Sequence, residues 1–316
     1  CSAGCIAAAF APGLDMLIAA RALVALGAAA IIPLTLAWIG DAVPHDRVQA
    51  TLARVGLGTT LGIAGGQLIG GLFTDTAGWR WAFGFMTLLF GGVGLLLLAD
   101  LRRQAPTAVA AGTVPSAART GFLAQALTII TGPWSRIVLL VAFVEGAAGF
   151  GVLAIWASHL HAAVGLSLSA AGLVVAGFGL GGMVYMATAK VWIGRSAPSA
   201  LAFAGVALVG VATPVLGLVP VWWASVPASL VAGFGFFMFH NSMQTNATHM
   251  APQARGTAVS LFAAFLFLGQ SAGVHLAATL MGRFGSGLVI ALGGAVLFVT
   301  GFFFSRALAA RERSGA

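Results

Sequence analysis

Long apolar runs separated by short polar turns recur from one end of the chain to the other. Ten apolar segments stand out: Cys1–Ala11, Met16–Trp38, Ala50–Phe73, Phe83–Ala99, Ile137–Ser158, Ala170–Trp192, Ala200–Leu218, Trp222–Met243, Thr257–Met281 and Gly287–Phe304. Most hold about 20 residues, enough for a helix to cross a hydrocarbon core ~30 Å thick. Polar–apolar alternation of the kind that builds a membrane barrel is absent, so the predicted spans are helices. The first run stops at Pro12, too short to span, which predicts that the chain begins inside a helix. Connections are short and marked by Pro, Gly or charge: Pro12–Asp15, Asp75–Arg80, His159–Ser167, Arg195–Pro198 and Arg283–Ser286. Only Leu101–Ser135 is long, rich in Ala, Thr, Pro and Arg, and reads as a linker between two halves.

Composition fixes the solvent. Hydrophobic residues make up 60% and charged residues 7%, against roughly 25% charged in soluble domains. This predicts an all-α transmembrane protein. The formal charge of +8 comes from cations scattered singly through loops, with no basic helix interleaved with aromatics, so nucleic acid is not an expected partner. If the chain starts inside, the cytoplasmic side collects Arg47, Arg54, Arg102, Arg103, Arg119, Arg136, Lys190, Arg195, Arg255, Arg306, Arg311 and Arg313. The outside keeps Arg80 and Arg283, while Arg21 lies within a span. That positive-inside bias predicts a multi-pass protein of the inner (plasma) membrane with both ends cytoplasmic. Cys1 and Cys5, one turn apart in an apolar run, imply neither a disulfide framework nor a metal site.

One pattern repeats. Pro44-x-x-Arg47-x-x-Ala50 and Pro252-x-x-Arg255-x-x-Ala258 each sit in a predicted cytoplasmic hairpin ahead of a glycine-containing span. A parallel duplication of a six-helix half leaves this mark. Gly66-Gln67-x-x-Gly70 and Gly269-Gln270-x-x-Gly273 also match but lie about one turn out of that register.

Three further motifs make the chain resemble the major facilitator superfamily, and within it the twelve-helix drug:proton antiporters. Leu17-x-x-x-Arg21 with Gly27-Ala28-Ala29 is similar to the fourth-helix motif of that branch, with Val24 and Ala25 in place of its usual Gln and Gly. Gly62-x-x-x-Gly66-Gln67-x-x-Gly70-Gly71 resembles its fifth-helix antiporter motif, with Gln67 where the family usually has Pro. Trp79-Arg-Trp-Ala-Phe83 resembles the entry to its sixth helix. The resemblance implies a major facilitator fold of two six-helix bundles, of which the chain covers family helices three to twelve. The expected organisation is a truncated N-terminal bundle at 1–100, a cytoplasmic linker at 101–135, a C-terminal bundle at 136–305 and a cytoplasmic tail at 306–316. It also implies that the fifth and eighth helices meet between the halves, where Gly62, Gly66, Gln67, Gly70 and Gly71 and the pair Gly177/Gly181 would form a close-packed seam.

Few residues can carry mechanism. Arg21 lies six residues past Asp15, ~9 Å into its helix. A cation there is functional by default, pairing with a carboxylate and easing its deprotonation, unless it snorkels to the outer headgroups. Glu145 is the only acid well inside a span, ~13 Å past Arg136. Burial disfavours a carboxylate, so the group would hold a proton and release it when water or a cation arrives. The bland alternative is a protonated acid bonded to a neighbouring helix. The polar end of the eighth segment, His240-Asn241-Ser-Met-Gln244, offers His240, Asn241 and Gln244 as substrate contacts, or is an ordinary helix end. His275 and Gln270 read more simply as interhelical hydrogen bonds. His159 and His161 lack zinc-ligand spacing. Neither a His-Glu-x-x-His metal helix nor a phosphate loop occurs, so no enzyme, metal or cofactor is expected.

The resulting expectation is a monomeric secondary transporter that uses proton entry to export a small amphipathic or drug-like molecule by alternating access. Glu145 and Arg21 would couple the proton. An uptake symporter of the same fold, and a transport-inactive fragment or sensor, are the competing readings.

Overall fold

The apolar segments are helical over most of their described residues. The computed structural model describes residues 1–29, 31, 35, 39, 43, 45–104 and 122–314, excepting the side chains of 45–50, 52–54, 56, 57, 60, 104 and 122. The helices are α1 (Ser2–Ala9), α2 (Leu14–Ala28), α3 (His45–Thr76), α4 (Trp79–Gln104), α5 (Phe122–Thr131), α6 (Pro133–Glu145), α7 (Trp156–Val164), α8 (Leu168–Ile193), α9 (Pro198–Leu218), α10 (Trp222–His249), α11 (Arg255–Phe284) and α12 (Ser286–Ser314). A π-helical segment, Gly146–Gly151, follows α6, and a 3₁₀ turn, Pro252–Ala254, precedes α11. Among the described residues no strand occurs, and seven helical stretches are long and apolar enough to cross a membrane.

Local chemistry sets the helix ends. Pro133 and Pro198 open α6 and α9, where a missing N–H costs nothing. Ser167 Oγ accepts from the Ala170 N–H at 3.1 Å to cap α8. Gly165, at φ 78°, closes α7 in the left-handed conformation, and the Leu166 N–H returns to Leu160 O. Several helices outrun their apolar cores: α4 carries Arg102 and Arg103 in its last turn, and α12 carries Arg311 and Arg313. The predicted tail at 306–316 is therefore helical as far as Ser314. Of the predicted linker, 105–121 with Arg119 lies outside the described residues, and α5 occupies part of the remainder. Arg47 falls in the first turn of α3, with its side chain outside the description.

The chain divides into two units, one of residues 1–56 and 72–119, the other of 57–71 and 120–316. In the first, α1 packs against α2 and α4. A Cβ on Gly4 would meet Val24, and one on Gly27 would meet Cys1, so small residues set that approach. Arg80 donates to Ala11 O at 3.0 Å and lies 4.4 Å from the Trp79 ring. This contact brings the Pro12 turn and the α3–α4 turn to one end of the unit.

The second unit is held by glycine–carbonyl crossings. A Cβ on Gly233 would strike Phe178 O, and one on Gly181 would strike Leu230 O, locking α10 to α8 from both sides. Gly205 and Gly235 do the same between α9 and α10, and Gly217 and Gly287 between α9 and α12. Gly146 faces Leu266 O, and Gly269 faces Phe143 O, which seats α11 on the junction of α6 and the π segment. Because lipid is as apolar as the side chains, such backbone approach and dispersion, not burial from water, hold the helices together. At the end of the unit, the Ser199 N–H and Oγ donate to the two Glu312 oxygens at 2.9 and 2.6 Å, so a carboxylate from α12 caps α9.

Residues 57–71 of α3 belong to this second unit because they pack on α8. Cβ atoms at Gly172 and Gly179 would meet Gln67 O and Ala64, and one at Gly71 would meet Leu168 O. Gly62, Gly66 and Gly70 present a different face, where an added Cβ would meet nothing within 4 Å. Gly177 and Gly181 face α10, not α3.

Candidate functional site

Glu145 is the last residue of α6 and is fully buried. It is buried because its neighbours are small. Gly146, Ala147, Ala148 and Gly149 follow it, and α11 presses against this run through Gly269 and Gly273. A π turn begins at the same point, and such bulges often mark functional positions.

The partner of Glu145 comes from α10. His240 Nδ1 lies 2.7 Å from Glu145 Oε1, with the His240 side chain 12% exposed and that of Glu145 0%. Glu145 Oε2 is buried without a hydrogen-bond partner among the described residues. One proton can sit in this contact in two ways: the imidazole N–H donates to a carboxylate, or a carboxylic O–H donates to the ring nitrogen.

Aromatic rings surround the histidine. Phe236 stacks on it at 5.9 Å and 10°, Phe262 is tilted at 5.9 Å, and Phe150 and Phe237 approach edge-on at 6.3 and 6.4 Å. Packed rings of this kind keep water from the contact and strengthen its electrostatics. Phe236 and Phe237 stand four and three residues before His240, on its own helix face.

The remaining sequence candidates are dispersed. Asn241 donates to Tyr185 Oη at 3.1 Å and so ties α10 to α8, whereas Gln244 is exposed. Arg21 is exposed on α2, its guanidinium 5.7 Å from the Phe83 ring, and belongs to the first unit. Arg255, exposed, opens α11. His159 Nδ1 lies 2.8 Å from Ser286 Oγ, His161 Nδ1 lies 2.7 Å from Leu166 O, and His275 is exposed. Among the described residues no group of His, Cys, Asp or Glu could hold a metal ion. Gln67 and Gln270, on α3 and α11, line one cavity of about 200 Å³ together with Gly62, Gly66 and Phe150.

The family model of the Major Facilitator Superfamily matches residues 1–274. The chain belongs to the Major Facilitator Superfamily. Relatives in this superfamily include the MFS-type efflux transporter ffsH of Aspergillus flavipes, 30% identical over 159 residues. The MFS efflux transporter aclA of Aspergillus oryzae is 33% identical over 149, and an uncharacterised MFS-type transporter of Mycobacterium tuberculosis 37% over 89. These alignments cover 46%, 43% and 28% of this chain, and span only 28%, 27% and 15% of the respective relatives. Two solved superfamily-like folds superpose over 97% of the chain. A bacterial homolog of the human lysosomal transporter Spinster, inward-facing and unoccupied, gives a TM-score of 0.65 at 18% identity, with 79% of that chain covered. A POT family transporter in complex with a thioalcohol-conjugated peptide gives 0.66 at 12% identity, with 80% covered. The architecture is thus the all-α transmembrane major facilitator fold.

The sequence singled out Glu145 and His240 separately but not as a pair. Ninety-five positions separate them, and helical periodicity reports which residues share a face, not which faces meet. The aromatic shell was signalled only by the Phe236-Phe237-x-x-His240 spacing.

Proposed function

We propose that this superfamily member exports a small amphipathic molecule in exchange for protons, with the Glu145–His240 pair as the proton site. The buried 2.7 Å contact inside an aromatic shell carries the reading. An ionisable pair within spanning helices is expensive to keep and is characteristic of proton relays. Proton arrival at the pair would neutralise the carboxylate, and its departure would restore an ion pair, giving two states of different helix–helix attraction that alternating access can use. Export is favoured over uptake by the relatives that carry the name efflux transporter, ffsH and aclA. Arg21, carried by the first unit, is in this reading a separate proton-coupling cation. Asn241 and Gln244 join as contacts near cargo, and the hairpins at Arg47 and Arg255 mark the cytoplasmic ends of the moving helices. The protein works as a monomer in the plasma membrane with both ends of this chain cytoplasmic.

The test is proton flux. Purified protein is reconstituted in vesicles containing a pH-sensitive dye, and an amphipathic fluorescent dye serves as cargo. Cargo movement should alkalinise or acidify the lumen in step with the imposed gradient. Glu145→Gln, which keeps the size and a hydrogen bond to His240, should abolish proton-driven cargo movement. Undiminished flux in that variant would remove Glu145 from the mechanism.

A further inference from the structure

The helix that carries Glu145 is not continuous. After α6 come the π turn at Gly146–Gly151, a brief helical return and a break at residues 154–155, before α7 begins at Trp156. Irregular backbone at membrane depth is tolerated where it is buried in protein or lines a cavity, since lipid cannot satisfy its polar groups. Discontinuous helices of this kind build the binding sites of secondary transporters. Here the irregular stretch contributes Phe150, Leu153 and Ala154 to the cavity of about 200 Å³.

Two carboxamides line the same cavity, Gln67 from α3 and Gln270 from α11. Both are partly buried, and neither amide is engaged by another described residue. Each offers two donors and an acceptor oxygen with two lone pairs. Gly62 and Gly66 lie exposed at the same cavity, and an added Cβ at either would meet nothing, so they leave the space open. Among the described residues, no charged side chain lines it. An ionised ligand group would therefore be desolvated there without a counter-charge, which is costly, whereas a neutral polar group would find matched partners. The volume lies below the ~300–1,000 Å³ of sites that hold a whole drug-sized ligand, so the cavity fits one end of a larger molecule. Phe150 is the shared wall: it lines the cavity and lies 6.3 Å from His240.

We propose that this cavity binds an uncharged, planar group of the substrate that both donates and accepts hydrogen bonds, of the carboxamide or lactam class, held between Gln67 and Gln270 against Phe150. The assignment deepens the transporter reading by naming the class of cargo, and rests on it. Binding is tested without any proton gradient, so a failure of proton coupling leaves the test standing. The probes are benzamide, benzoate and benzylamine, three molecules of one shape and three charges, titrated onto the purified protein by saturation-transfer NMR. Benzamide should bind at least about tenfold more tightly than either ion. Gln67→Leu and Gln270→Leu should each weaken benzamide about 2- to 13-fold, the range a net neutral hydrogen bond supplies, while thermal unfolding stays near wild type. Should a leucine variant fold poorly, Gln270→Asn, which keeps the amide but withdraws it, provides the same comparison. Benzoate binding as well as benzamide, or benzamide binding unchanged in the Gln67→Leu/Gln270→Leu double variant, would overturn the assignment.

Discussion

Replacing His240 by leucine strips a fully buried carboxyl of its one described partner. Glu145 Oε2 already lacks a hydrogen bond among the described residues, so the variant leaves both oxygens unsatisfied. Removing one member of a buried ion pair costs about 3–5 kcal/mol, because the remaining charge is uncompensated. At about 1.4 kcal/mol per factor of ten, the unfolding equilibrium should shift roughly a hundred- to several-thousand-fold. The double variant Glu145→Leu/His240→Leu removes the charge as well. Apolar replacement of a buried pair is often neutral or stabilising by about 1–4 kcal/mol, against roughly 1 kcal/mol for the aromatic stacking that His240 gives up. The double variant should therefore lie between about 1 kcal/mol below and about 3 kcal/mol above wild type while remaining unable to move protons. The assay is equilibrium unfolding in mixed detergent micelles, read by tryptophan fluorescence. A single variant within about 1 kcal/mol of wild type would refute the reasoning, as would a double variant no more stable than the single.

Three other outcomes follow from particular contacts. Gly233→Ala, whose Cβ would enter the Phe178 carbonyl, should lower stability by about 1–3 kcal/mol, whereas Gly62→Ala, with nothing near its Cβ, should stay within about 1 kcal/mol in the same unfolding assay. Asn241→Ala and Tyr185→Phe break one shared hydrogen bond. Each should cost about 0.5–1.5 kcal/mol, and the two together little more than the larger single loss, as a double-mutant cycle would show. Ser199→Ala and Glu312→Gln loosen the cap on α9, and should speed proteolytic cleavage at the Gly194–Ala197 turn several-fold without changing cargo movement.

The spans were legible because lipid imposes a simple demand, a run of apolar residues as long as the bilayer is thick, and Phe83–Ala99 or Ala200–Leu218 could hardly be anything else. Helix ends were less so: α10 continues through Gln244 to His249 because charged and polar residues extend a helix into water without leaving a hydropathy signal. Glu145 was visible as a lone acid in an apolar run, but its π turn was not, since Gly-Ala-Ala-Gly-Phe-Gly reads the same in either helical form. The glycine motifs divided likewise. Regular spacing at Gly62, Gly66 and Gly70 defines a face without saying what meets it. The tight approach to α8 is instead made by Ala64, Gly71 and the Gln67 backbone, whose spacing is less conspicuous.

The glycine–carbonyl crossings also shape how the gene can vary. A single-base change in a glycine codon can introduce Ala, Ser, Cys, Val, Asp, Glu, Arg or Trp, and every one of them carries the Cβ that Gly146, Gly181, Gly233 and Gly269 have no room for. At these codons each missense step is a collision with backbone, which no rotamer change relieves. A saturation-mutagenesis map of expression should therefore show them as columns of intolerance, in contrast to the exposed Leu180 and Leu268 beside Gly181 and Gly269, which should exchange freely.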